Sequence, residues 1–335
     1  MNVDRIHLIS PANPLAPDTG RFGMDVDAFI AFARENVPRA YRLTYDSKLL
    51  HATEAEWQGG RTDDAARIRD LNAAIADRRT RGIVATNGGA YLTRILPHVD
   101  FSPLVRRKEP LWLLGFSEIS GLVNRVASYR CGRGVYWLCP TWLGWAVKPA
   151  EAAREALAAF WRLLPALFGG DVPASDPHLE LGPLQGELVA GRLSGTSRST
   201  SDSTMIRIVG GCLAVLAANA GGPDARRIRP DGKWLLLEDI KEPPYRIDRH
   251  LATLKVAGWF ERVAGVLVGD FRVVNKDTQP AVLELLKYHL LPRTPVITTH
   301  AVGHVWPMVP VLLNRPLEMK LRRRSVTIDT LGRRL

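Results

Sequence analysis

The sequence predicts an α/β protein of two domains, the amino-terminal one built on a parallel sheet. Three observations carry this. The chain has 335 residues, about twice what one domain holds at roughly 100–200 residues each. Through the first half, short apolar runs alternate with segments of helical spacing, the pattern of strands joined by crossover helices. That alternation is interrupted once, by a stretch rich in Gly, Pro, Ser and Thr, and then resumes.

Residues 6–9 form the first predicted strand, which runs into the loop Ser10-Pro11-Ala12-Asn13-Pro14. Segments 26–36 and 63–78 carry apolar residues at helical intervals, and Asp63-Asp64 suits a helix start. A short strand at 82–85 leads into Asn87-Gly88-Gly89. Residues 111–116 read as a buried strand, followed by Ser117 and a helical pattern from 119 to about 129. The Ala- and Leu-rich segment 150–164 predicts a helix that Pro165 stops or kinks. Residues 171–204 end in a Ser/Thr-rich run and read as a linker or mobile loop. Beyond it, strands are expected at 205–209, 234–237, 263–268, 296–298 and 326–328, and helices at 212–219, 247–258 and 279–290. The expected domains are therefore 1–170 and 205–335, the second the smaller. No internal repeat is visible.

Composition narrows the function. Hydrophobic residues make up 46% and charged residues 24%, ordinary for a chain with a real core. Lys and Arg outnumber Asp and Glu by 45 to 34, a net charge of +11. The excess is split almost evenly between the two halves, and its longest runs are Arg106-Arg107-Lys108 and Arg322-Arg323-Arg324. A nucleic-acid binder would gather charge on one element, so none is expected as partner. Cys131, Cys139 and Cys212 are too few and too scattered for a disulfide framework or a zinc site, which fits a reducing compartment. The N-terminus lacks the pattern of a signal peptide. The most apolar run, 135–147, is too short to span a bilayer, which takes about 20 residues. A cytoplasmic protein without membrane, metal or cofactor is expected.

Four places carry candidate chemistry. In Gly115-Phe116-Ser117-Glu118-Ile119-Ser120 a buried strand delivers a serine into a tight turn before a helix. That is the logic of a nucleophile elbow, although Ile119 stands where G-x-S-x-G has its second glycine. A helix-capping serine explains the same residues. Gly88-Gly89 after a strand lets backbone N–H groups approach a substrate or anion closely; an ordinary turn would read alike. Glu238-Asp239 ends an apolar strand, where open α/β sheets place their sites, or simply leaves the sheet for solvent. His300 and His304 stand four apart, without H-E-x-x-H and with Gly303 between them. One of them serves better as a general base, since histidine titrates near neutrality. Together these supply a nucleophile, an orienting acid and a base in the chain order Ser117, Glu238, His304.

The combination resembles the LD-carboxypeptidase family of serine peptidases, which includes muramoyl-tetrapeptide carboxypeptidases and the microcin C immunity peptidases. The resemblance runs through Leu8-Ile9-Ser10-Pro11-Ala12, Gly88-Gly89, Gly115 to Leu122, Gly232 to Ile240 continuing to Leu254, Gly265 to Phe271, and Gly303-His304. It implies Ser117 as nucleophile, His304 as general base, Glu238 as the group orienting the histidine, and the backbone N–H groups of Gly89 and Glu118 as oxyanion hole. Gly88 and Gly89 would also border the substrate. It further implies an active site between the two domains, and a homodimer. The implied substrate is a small peptide: murein tetrapeptide, cleaved at the L,D-bond to its terminal D-alanine. An aminoacyl-nucleotide, as for the immunity peptidases, is the second substrate class. A basic ligand- or nucleic-acid-binding relative that no longer hydrolyses is the remaining alternative. The family's Gly-Gly-Tyr-Gly reads Gly88-Gly89-Ala90-Tyr91 here, and the residue after the nucleophile is Glu118 in place of Asp. Its His-Gly-Pro and Gly-Asn-Leu appear as Leu138-Cys139-Pro140 and Gly211-Cys212-Leu213. These departures bear on substrate choice more than on the chemistry.

Overall fold

The structure, a computed structural model, describes residues 3–53, 60–169, 171–192, 202–222, 225–273 and 276–332. Residues 193–201, the centre of the Ser/Thr-rich run, lie outside them. The chain forms two compact units, Met1–Leu181 and Gly182–Leu335.

In the first unit, strands β1 (Asp4–Ile9), β2 (Tyr41–Tyr45), β3 (Thr80–Ala85), β4 (Leu111–Gly115) and β5 (Gly132–Tyr136) lie in the order β5-β4-β3-β1-β2. Every pair is parallel, as the alternating pattern predicts. Helices α1 (Val26–Asn36), α2 (Asp64–Ala76), α3 (Ser120–Ala127) and α4 (Ala150–Gly169) supply the crossovers and the cover. Asp25 starts α1 by accepting a 2.7 Å hydrogen bond from the Ala28 N–H, which satisfies one of the orphan donors of a first turn. Pro165 neither stops nor ends α4, which runs four residues past it. The helix survives because its far turn is held by packing. The Phe168 ring sits over Gly82, where an added Cβ would come within 2.2 Å of it, and beside Trp112. A chain of ring contacts, Phe22 to Phe29 to Trp161 to Phe160 to Trp137, fills the core nearby.

The second unit has one mixed sheet. Its strands are β6 (Leu184–Ala190), β7 (Asp202–Ile206), β8 (Ile208–Cys212), β9 (Trp234–Ile240), β10 (Gly265–Val273), β11 (Lys276–Asp277) and β12 (Val296–Thr298). β14 (Leu317–Arg322) and β15 (Ser325–Ile328) complete it; the two-residue strand β13 (Val311–Leu312), which precedes them in the chain, is not one of its members. The order is β7-β14-β15-β6-β12-β10-β9-β8, with β11 folded back on β10. The neighbours β8, β9, β10 and β12 are parallel; the rest pair antiparallel. Helices α5 (Leu213–Asn219), α6 (Pro244–Val256) and α7 (Gln279–His289) pack on the parallel part. Leu216, Leu237, Leu251, Trp259, Val268, Phe271 and Val282 form the core between them.

Two expectations change. Residues 184–190, expected within a linker, are strand β6, paired on both edges by β12 and β15. The single strand expected at 205–209 is two, β7 and β8, which run at opposite edges of the sheet. Among the described residues no helix is long and apolar enough to cross a membrane.

Candidate active site

In the first unit the site residues gather beyond the carboxyl end of β4. Gly115 ends the strand, and a Cβ there would stand 2.7 Å from Ile119 Cγ2; the bare backbone lets the chain double back at once. Ser117 then takes a left-handed conformation, φ 58°, costly for a residue with a Cβ and characteristic of functional turns. It opens a single 3-10 turn, and α3 begins three residues later. Ser117 is therefore no N-cap of α3. Its own N–H donates to the Tyr136 hydroxyl at 3.2 Å, and its carbonyl accepts from Ser120 Oγ at 2.6 Å.

The Gly88-Gly89 loop abuts this serine. A Cβ on Gly88 would lie 3.4 Å from Ser117 Cβ and 3.6 Å from its Oγ. Gly89 has φ +115°, and a Cβ there would strike the Asn13 side chain at 2.0 Å. Asn13 fixes the loop from two sides: its N–H donates to the Gly88 carbonyl at 3.0 Å, and its Oδ1 accepts from the Ala90 N–H at 3.0 Å. Glu118 fixes the loop's far end. Its Oε1 accepts from the N–H groups of Leu92 (2.9 Å) and Thr93 (3.2 Å) and from Thr93 Oγ1 (3.4 Å). Burial pushes the Glu118 carboxyl up, against the pull of those hydrogen bonds. Ser117, Gly88, Gly89 and Glu118 are thus one assembly of the first unit.

In the second unit the structure brings Glu238 and His304 together. Glu238 does not leave the sheet for solvent: it stands inside β9 with its side chain 0% exposed. His304 Nδ1 lies 2.8 Å from Glu238 Oε2. A carboxylate can only accept, so the imidazole donates from Nδ1, and the tautomer this selects carries its basic lone pair on Nε2. Two glycines make the approach possible. A Cβ on Gly303, φ +125°, would lie 2.9 Å from Glu238 Oε2, and one on Gly269 would lie 3.1 Å from Glu238 Cβ.

His300 is the histidine that the site does not use in this way: it is 60% exposed and only 3.6 Å from Asp270. Asp270 is held instead by Arg272, at 2.5 and 2.6 Å. Asp239 is buried on β9 beside Glu238, and accepts from the N–H groups of Ala214, at the start of α5, and Ile240. Burial first, and the Glu238 charge second, push its carboxyl up to about 7.

Sequence reasoning missed Asn13, Tyr136 and the clamp made by Glu118. Asn13 sits in the Ser-Pro loop that the sequence does single out; no signal ties it to a glycine pair 75 residues on. Of the three tryptophans between 137 and 145, Trp137 is buried against Phe160 and Trp142 lies edge-on to Phe116. Trp145 is half exposed, with Arg21 covering its ring at 3.0 Å.

Comparison with known proteins gives the family. Residues 6–133 match the LD-carboxypeptidase N-terminal domain and residues 207–319 the LD-carboxypeptidase C-terminal domain. A putative carboxypeptidase of Streptomyces coelicolor is 30% identical over 273 residues, 79% of this chain and 77% of that protein. A probable murein peptide carboxypeptidase of Bacillus subtilis is 26% identical over 330 residues, 97% and 92% of the two chains. In fold, the chain is similar to the crystal structure of an MccF-like protein from Bacillus anthracis, with TM-score 0.68 and 17% identity over 98% of each chain. With both domains matched and a carboxypeptidase relative at 30% identity, the chain belongs to the LD-carboxypeptidase family.

Proposed function

We propose that this protein is a serine-type LD-carboxypeptidase that removes the terminal D-alanine of murein tetrapeptide. The observation that carries the reading is the buried 2.8 Å hydrogen bond between Glu238 and His304. A pure binder has no use for a histidine whose tautomer is fixed from behind by a carboxylate, whereas general-base catalysis requires it. The strained backbone of Ser117 beside a glycine pair supports the nucleophile role, and the name of the Bacillus subtilis relative supports the murein peptide.

In this reading Ser117 Oγ attacks the carbonyl carbon of the scissile amide, and His304 Nε2 takes the hydroxyl proton. Glu238 stabilises the imidazolium that forms. The N–H groups of Gly89 and Glu118 hold the oxyanion, a contribution whose loss typically costs about 100- to 1000-fold in rate. The tetrahedral intermediate then collapses: the C–N bond breaks, and His304 returns the proton to the departing D-alanine nitrogen. A water, deprotonated by the same histidine, attacks the acyl-serine; the C–Oγ bond breaks, the histidine returns the proton to Ser117 Oγ, and the shortened peptide leaves.

The test is mass spectrometry of products from murein tripeptide, tetrapeptide and pentapeptide incubated with the protein and with Ser117→Ala. Loss of one alanine from the tetrapeptide only, abolished in a folded Ser117→Ala, is the expected result. Undiminished hydrolysis by that variant overturns the assignment. Turnover of an aminoacyl sulfamoyl adenosine in preference to the tetrapeptide would keep the serine chemistry and move the substrate to the immunity-peptidase class. The expected homodimer is checked by light scattering on the same preparation.

A further inference from the structure

Along the sequence the basic residues look like a background; in the fold five of them converge. Arg5, Arg34, Arg39, Arg42 and Arg79 line a groove of about 670 Å³ in the first unit. It lies at the amino-terminal end of the sheet, where β1 and β2 begin and where the chain enters β3. Ser117 follows the carboxyl end of β4, so the groove belongs to the opposite end of the same sheet.

The charges there are poorly neutralised. Arg5 and Arg42 are register partners in the parallel pair β1–β2, so their side chains leave the same face, and like charges so placed repel. Among the described residues Asp77 is the one carboxylate paired with any of the five, 2.8 Å from Arg5 and 3.6 Å from Arg79. Asp4, the acid on β1, is taken by Arg81 at 2.9 Å. Arg34 donates to the neutral Tyr45 hydroxyl at 2.7 Å. Arg39 and Arg42 have neither an ion pair nor a side-chain hydrogen bond among the described residues, and both are exposed. Five guanidiniums therefore face one carboxylate. The remaining wall is apolar, formed by the buried Val37 and Leu43 with the Tyr41 ring.

We propose that this groove is a binding site for a small organic polyphosphate of nucleotide size, distinct from the carboxypeptidase site. A guanidinium fork matches two phosphate oxygens at once, which an ammonium does not. Several uncompensated charges within one concavity call for a ligand with several negative charges close together, as in a nucleoside triphosphate. The volume lies inside the range of about 300–1000 Å³ typical of small-molecule sites, and Val37, Leu43 and Tyr41 offer apolar surface to the ligand's organic part. The charges converge in a pocket and do not run along a stripe, which separates this from a nucleic-acid track.

The experiment is isothermal titration of the intact protein with ATP, with pyrophosphate and with adenosine, at about 0.15 M salt, where exposed charges are already screened. ATP is expected to bind saturably, pyrophosphate more weakly, and adenosine not measurably. The double variant R39A/R42A, at two exposed positions, is expected to keep its circular dichroism spectrum and to weaken ATP binding by about tenfold or more, since two charged hydrogen-bond donors are lost. The proposal is overturned if ATP does not bind below about 1 mM, or if R39A/R42A binds it as well as the parent, which would put the nucleotide elsewhere. It is equally overturned if mixed-sequence duplex DNA or anionic vesicles displace ATP from R39A/R42A and parent alike.

Discussion

Replacing Glu238 by Gln removes one charge and leaves the volume of a buried side chain almost unchanged. In the parent, Nδ1 of His304 and Oε2 of Glu238 are 2.8 Å apart, with side chains 7% and 0% exposed, so water screens the pair little. In the proposed mechanism His304 takes the Ser117 proton, and a full positive charge then appears about 4 Å from the carboxylate's charge centre. At an effective dielectric near 20 this attraction is worth about 4 kcal/mol. Counting only the surplus of a charged over a neutral hydrogen bond gives a floor of about 1.5 kcal/mol. Because the charge exists only once proton transfer is under way, the loss falls on kcat and leaves KM nearly unchanged. The expected fall in kcat is therefore about 10- to 1000-fold. It is measured as steady-state release of D-alanine from murein tetrapeptide, with far-UV circular dichroism to show that the variant is folded. Residues that act as one unit are not additive, so Glu238→Gln placed on Ser117→Ala should lower the residual rate no further. A kcat within about threefold of the parent, or an effect confined to KM, would refute the reasoning.

Gly303→Ala would put a Cβ 2.9 Å from Glu238 Oε2 at a φ of +125°; backbone strain and overpacking together should cost about 2–6 kcal/mol in urea unfolding. Gly221→Ala, where a Cβ meets nothing within 4 Å, should stay within about 0.5 kcal/mol, and equal stability of the two variants would refute the packing account. Asp239 holds its proton in the folded state up to about pH 7, whereas its ordinary value is 3.8. Between those values the native state binds the extra proton, so stability is fully present at the acid end and is lost as pH rises towards 7. Asp239→Asn should flatten that fall in a series of denaturation curves; an unchanged pH slope would refute the assignment. Glu118→Ala removes the acceptor of the buried Leu92 N–H and the half-buried Thr93 N–H, at up to about 1–3 kcal/mol for each unsatisfied group. Glu118→Gln keeps an acceptor and should recover most of the loss in thermal unfolding; equal damage from both variants would show that the clamp is not what Glu118 provides.

The strands that the sequence made legible are those with unbroken apolar runs, such as β4 and β9. Those it hid share a physical reason. In β5 the pattern is broken by Gly132 and Gly134, glycines because α3 packs so close that a Cβ would lie 1.8 Å from the Val126 carbonyl and 2.3 Å from that of Val123. β2 is an edge strand, and Arg42 interrupts it. In β6, Gln185, Gly186 and Glu187 read as loop, yet the strand is secured by neighbours on both sides, one of them near the chain's end. Tertiary pairing overrode weak local preference in each case. Of the proposed catalytic residues, Ser117, Glu238 and His304 were visible because their residue types are chemically suggestive. The contacts that hold Ser117 and the glycine loop beside it, from Tyr136 and Asn13, come from remote positions and carry no local signal. The basic groove escaped for the same reason: its arginines are drawn from residues 5 to 79 and form no run.

The pairing of the second unit's sheet also orders events during synthesis. β6, its first strand, is bordered on one side by β15, and β7 has β14 as a neighbour. Ends separated by more than a hundred residues must therefore meet before the sheet can close, an entropic cost that grows only slowly with loop length but cannot be met early. A ribosome that has just exposed Glu238 and His304 has not yet released the strands that tie β6 and β7 down. Removing the last two strands should thus cost this unit more than their small size suggests, because it unfastens the beginning of the sheet as well as its end. A nascent chain would gain a complete second sheet only once β15 has emerged.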